Sequence, residues 1–159
     1  MTVFAKATPG TKPKTENVRT IALFYAGVLV VFALTQLFSF DKLYSLFESF
    51  WLPGGERFTH LLAAIVVIAE VLALPFLLQM RLSKAMRVLS MAFGWLVPAL
   101  WLFISLWIML TVNAIHNVGF LGTVLPLEPG WWAVLFSVAL GILSIWASWG
   151  MWPFKPRKK

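Results

Sequence analysis

The chain has 159 residues, 60% of them hydrophobic and 12% charged, with a net charge of +7. A soluble domain is about a quarter charged, and a chain this short cannot bury so much apolar surface in one water-soluble core. With no cysteine, it forms no disulfide, thiolate nucleophile, cysteine-ligated zinc site or iron–sulfur cluster.

The apolar residues fall into four blocks of about 20 residues, the length at which a helix crosses about 30 Å of hydrocarbon. Barrel strands would be about half as long and would alternate. The expected fold is therefore all-α: four transmembrane helices in an antiparallel bundle, with a short interfacial amphipathic helix between the first and second.

In chain order, residues 1–19 read as a flexible cytoplasmic tail, because Thr8-Pro9-Gly10-Thr11-Lys12-Pro13-Lys14 is polar and proline-rich and has too little apolar surface to order itself. There is no short apolar run near the start with a small-residue cleavage site behind it, so the first span is expected to be retained. Residues 20–152 read as the four-helix transmembrane domain and 153–159 as a basic cytoplasmic tail. Span one is expected at about 21–40 and span two at about 58–80. Between them Leu43, Phe47 and Phe50 recur at helical spacing among Asp41, Ser45, Glu48 and Ser49, the pattern of an amphipathic helix lying at the membrane surface. Pro53-Gly54-Gly55 should then break the helix. Only Arg81 to Arg87 separates span two from span three, expected at about 88–112, and Pro98 in its middle predicts a kink or tilt. A loop over 113–130 with Gly119, Gly122, Pro126 and Pro129 leads to span four, about 131–149.

Eleven of the thirteen basic residues flank the spans on one side: those of the N-terminal segment, Arg81, Lys84 and Arg87, and those of the C-terminal tail. Lys42 and Arg57 fall on the other side with Asp41, Glu48, Glu56 and Glu128. The positive-inside rule then puts both termini in the cytoplasm and both aromatic loops outside, which suits a multi-pass protein of a bacterial inner membrane. Trp131 and Trp132 mark the outer interface, and Trp149 and Trp152 the inner one. The basic groups read as topology signals and anionic-lipid contacts, not as a nucleic-acid surface.

Glu70 is the most informative single residue, because a charge near the bilayer centre costs about 3 kcal/mol or more. Matching depth from the cytoplasmic end brings Tyr25, Gly27, Gly94, Trp95, Gly141 and Ser144 to its level, with no lysine or arginine to pair with it. In protonated form it could donate to a carbonyl while accepting from the Trp95 indole or the Tyr25 hydroxyl. Glu70, Tyr25 and Trp95 are thus the candidate proton- or ligand-binding group; the alternative is a neutral hydrogen bond that fixes helix register. The glycines are close-packing points for neighbouring helices.

His60 and His116, the only histidines, lie at the outer ends of spans two and three and could face one another there, with Trp51 near them. That would be a possible outer-side ligand site, since paired histidines can ligate haem iron and an interfacial histidine can bind quinone or shuttle protons. Histidines at that depth also commonly cap helices or face water. Glu-x-x-His pairs, His-Glu-x-x-His, Gly-x-Ser-x-Gly, Gly-x-Gly-x-x-Gly and the P-loop pattern are all missing, and with them the chemistry each supports. No metal site and no catalytic residue is expected.

Thr35-Gln36-Leu37-Phe38-Ser39-Phe40-Asp41-Lys42-Leu43 closing span one, followed by Ala63 to Leu78 with Glu70 inside span two, resembles the DoxX-like/MauE-like four-helix membrane proteins. Lys42, Leu43 and Glu70 carry the match, and the topology agrees over about 21–149. The resemblance implies a small subunit accompanying a redox or quinone-linked membrane assembly, or a factor supporting maturation of exported proteins.

Three functions are compatible with these readings. The first is an accessory or structural subunit of a larger inner-membrane complex, with other membrane subunits and the lipid bilayer as partners, because the chain has no autonomous catalytic constellation. The second is a small proton-coupled carrier or small-molecule-binding protein built on Glu70. The third is an electron-transfer subunit holding haem or quinone through His60, His116, Trp51 or Glu70. Nucleic acid is not an expected partner.

Overall fold

A computed structural model describes residues 7–111 and 115–152. Five helices form in order: α1 (Glu16–Phe38), α2 (Phe40–Glu48), α3 (Gly55–Leu77), α4 (Lys84–Thr111) and α5 (Trp131–Gly150). Four of them, all but α2, are long and apolar enough to cross a membrane, and they pack against one another, α3 on α4, α4 on α5, and α1 on both α3 and α5. No strand occurs among the described residues, only an isolated bridge between Thr8 and Leu82.

Each helix begins and ends for a local reason. Thr15 caps α1 by accepting from the Val18 amide, which satisfies one of the amides left free in a first turn. After α2, Gly54 and Gly55 take φ of 123° and 76°, a region that glycine enters without the clash a side chain would meet, and the chain reverses into α3. Pro75 lies in the last turn of α3 and Pro98 inside α4. Phe40 to Glu48 is helical, as the spacing predicts, and buries Leu43 and Phe47 in the common core.

The N-terminal segment makes bonds that its composition does not announce. Residues 7–15, read as part of a flexible tail, are bonded across the helix ends, and α1 begins within that expected tail. Thr8 exchanges backbone bonds with Leu82, and Lys14 N donates to Gly150 O. The buried Arg87 guanidinium donates to Thr8 O, Thr8 Oγ1 and Pro9 O. Backbone carbonyls thus offset the cost of burying this charge, a role composition does not reveal. Met1 to Lys6, Asn113 and the basic residues of 153–159, which carried part of the topology and tail readings, lie outside the described residues.

Two ends of the bundle can be distinguished. One gathers Thr8, Leu82 and Gly150 (the terminal end); the other carries α2 and the segment 115–130 (the loop end).

Candidate functional site

Glu70 sits on the buried face of α3 with no exposed surface. Its Oε1 accepts from Gln36 Nε2 at 3.1 Å and from Trp101 Nε1 at 3.0 Å. Gln36 Nε2 also donates to Phe120 O at 3.0 Å; both of its partners are acceptors, so the orientation of the amide is fixed. Glu70 Oε2, Gln36 Oε1 and Ser105 Oγ are buried without a hydrogen-bond partner among the described residues. Ser105 lies one turn beyond Trp101 on the buried face of α4.

Side-chain direction explains why these residues meet. Partners on α3 fall in number as those on α4 rise: Ser90 Oγ accepts from Phe76 N, whereas Trp101 reaches Glu70. Helical side chains lean toward the N-terminus of their own helix, so Glu70 leans toward the loop end and Trp101 and Gln36 lean toward it from that end. Matching backbone depth alone instead selects Tyr25 and Trp95. The signal that could have found Gln36 and Trp101 was present in helix direction.

The walls of the site are aromatic. The Trp101 ring lies 4.6 Å from Phe120, 6.4 Å from Phe32 and 6.3 Å from Phe47, centre to centre. Phe120 comes from the loop-end segment and is buried among these rings. Asn117 shapes that segment: its Oδ1 accepts from Gly119 N and Leu127 N, and its Nδ2 donates to Gly122 O. Thr123 N donates to Ser39 Oγ. Gly122, at φ 60°, lies so close to α1 that a Cβ would collide with Ser39 Oγ. Phe120 is thereby held against the Trp101 ring, whose indole reaches Glu70, a placement no motif in the sequence announces.

Tyr25 and Trp95 belong to a second polar cluster nearer the terminal end. Tyr25 OH and Ser144 Oγ both donate to Gly94 O, at 2.7 and 2.8 Å. Trp95 Nε1 donates to Ser148 Oγ, which donates to Ser144 O, and the Trp95 ring stacks on Trp152. Neither Tyr25 nor Trp95 donates to Glu70. A trough of about 700 Å³ runs between α4 and α5 beside this cluster, lined in part by Trp95, Pro98, Leu102, Gly141 and Trp149.

The outer-side candidates have different surroundings. His60 Nε2 lies 2.6 Å from Glu48 Oε1, and its ring packs on Tyr44. Glu56 brings a third ligating atom, all three lying within 4.8 Å of one another, a donor set that could hold a cation, although the glutamates are exposed. His116 is exposed in the segment after α4, and no contact joins it to His60 among the described residues. Trp51 is 80% exposed at φ 50°.

The arrangement at Glu70 can bind a proton or a hydrogen-bond donor at its open oxygen, while Gln36 and Trp101 hold the other oxygen in place. Comparison with protein-family models, with curated proteins and with solved structures found no match.

Proposed function

We propose that this chain is an integral membrane protein that binds a small molecule at Glu70 in exchange for a proton. One observation carries the reading: a carboxyl buried inside an apolar helix bundle has one oxygen held by two donors and the other open. A purely structural acid would gain by satisfying both oxygens, because an unpaired buried polar atom costs about 1–3 kcal/mol. Intramembrane acids also cluster at binding and proton-relay sites.

In this reading the four long helices form an antiparallel bundle in a bacterial inner membrane, α2 lies at its outer surface, and both termini are cytoplasmic. The bias of basic residues toward one side supports that orientation. The resemblance to DoxX-like proteins, carried by Lys42, Leu43 and Glu70, belongs to the same proposal.

Glu70→Gln tests it, since glutamine keeps an oxygen for the Gln36 and Trp101 donors. The variant should fold and purify like wild type but lose the small molecules that mass spectrometry finds with the native chain. An unchanged set of bound molecules would leave Glu70 a packing role only.

A second reading, a subunit of a larger complex, rests on the trough between α4 and α5. A partner's transmembrane helix would lie along it, close to Gly141 and Ser137, because small residues let helices approach. Extraction as a lone monomer with every activity intact would contradict it.

A further inference from the structure

We propose that the Glu70 site accepts an arylalkyl ammonium cation, whose ring takes the place of Phe120 and whose N–H groups bond Glu70 Oε2 and Gln36 Oε1. The inference rests on Glu70 being the functional group and adds the chemistry of its ligand.

The open atoms define what the ligand must offer. Once Glu70 has released its proton, its Oε2 and Gln36 Oε1 are both acceptors, so the group that completes the site is a donor. An alcohol would satisfy the hydrogen bonding, but a carboxylate in an apolar bundle also lacks a counter-charge. No lysine or arginine bonds Glu70 among the described residues; its protein donors are the neutral Gln36 and Trp101. An ammonium group supplies donors and opposite charge together.

The walls define the rest of the ligand. Phe120 sits among Trp101, Phe32 and Phe136, with ring centres 4.6, 5.6 and 5.3 Å away. That is an aromatic slot already shaped to a single ring, and a cation beside the Trp101 indole gains from its electron-rich face. Phe120 differs from the other rings in its attachment. Phe32, Trp101 and Phe136 are fixed on long helices, whereas Phe120 lies in a turn. Its backbone reaches the bundle through Gln36 Nε2, and the neighbouring Thr123 amide reaches Ser39 Oγ. Withdrawing the turn lifts Phe120 and its buried neighbour Val118 out of the core and frees the slot without unfolding a helix. It also frees Gln36 Nε2 from Phe120 O, so the event that admits the ligand reorganises the residue that grips it.

Equilibrium dialysis of the full chain in mild detergent tests the assignment with three single-ring probes. 2-Phenylethylamine has both charge and N–H donors, phenyltrimethylammonium has charge without donors, and 2-phenylethanol has a donor without charge. Wild type should bind the amine about tenfold or more tighter than either of the others, the step that 1.4 kcal/mol represents. Phe120→Ala should raise amine affinity further by emptying the slot, and adding Glu70→Gln should abolish the preference for the amine. Phe120→Leu, a gentler truncation, should give the same ranking should the alanine variant fold poorly.

Equal binding of amine and alcohol, or of amine and quaternary cation, would overturn the proposal, as would an amine preference that survives Glu70→Gln. If the preference is absent while Glu70→Gln still strips the native small molecules, the ligand class is wrong and Glu70 remains the functional group. If the native molecules also persist in Glu70→Gln, both proposals fall.

Discussion

Two polar clusters lie inside the same apolar bundle and are finished differently. Around Gly94, the hydroxyls of Tyr25, Ser144 and Ser148 and the indole of Trp95 each have a partner. Around Glu70, two oxygens remain open. The first cluster closes on itself and ties α1, α4 and α5 together, as interhelical hydrogen bonds commonly do. The second spends donors from α1 and α4 on one carboxyl oxygen and leaves the other facing the protein interior. Burial of polar groups alone therefore does not separate the two clusters; the pairing of their oxygens does.

The contrast can be broken by substitution. The largest effect should follow Trp101→Ala, which removes a fully buried ring packed against Phe47 and Phe120 together with a donor to Glu70. A loss of about 3–5 kcal/mol is expected, read as a lower thermal midpoint in detergent. Gln36→Leu should follow, at about 1–3 kcal/mol, because it strips one donor from Glu70 and releases Phe120 O. It should also speed hydrogen exchange in the segment 115–130, which Tyr25→Phe should leave unchanged. Tyr25→Phe should cost only about 1 kcal/mol, since Gly94 O keeps Ser144 as a donor, and it should retain the bound small molecules. Ser105→Ala should cost nothing and stabilise the fold by up to about 1 kcal/mol, because the hydroxyl it removes is buried without a partner. A marked loss of stability there would show that Ser105 is paired in the membrane and would blur the contrast.

The periodicity of the sequence reaches the bundle itself. The four apolar blocks become α1, α3, α4 and α5, with ends shifted by a few residues, and Leu43 and Phe47 sit on a short helix between the first two. Hydropathy does this well because it reads a length and a stripe. Glu70 was legible for a related reason: a lone acid in an apolar run stands out without any three-dimensional information. Its partners were not. Gln36 lies close to the polar end of its helix and looks interfacial, Trp101 is one tryptophan among nine, and Phe120 arrives from a loop whose path Asn117 and two glycines determine. Matching depth by counting residues ignored the lean of side chains along each helix and so favoured Tyr25 and Trp95. The bonds of Arg87 to Thr8 and Pro9 were equally hidden, since they join positions almost eighty residues apart.

The central claim is that the Glu70 carboxyl changes its bonding state while the Tyr25 cluster does not. Infrared difference spectroscopy of the full chain in lipid bilayers, taken across a pH series for wild type and Glu70→Gln, tests it most directly. The account predicts a carboxyl band that responds to pH in wild type, is absent from Glu70→Gln, and persists in Tyr25→Phe. A Glu70 band that stays fixed across the whole series would show a carboxyl locked in its hydrogen bonds and contradict the account.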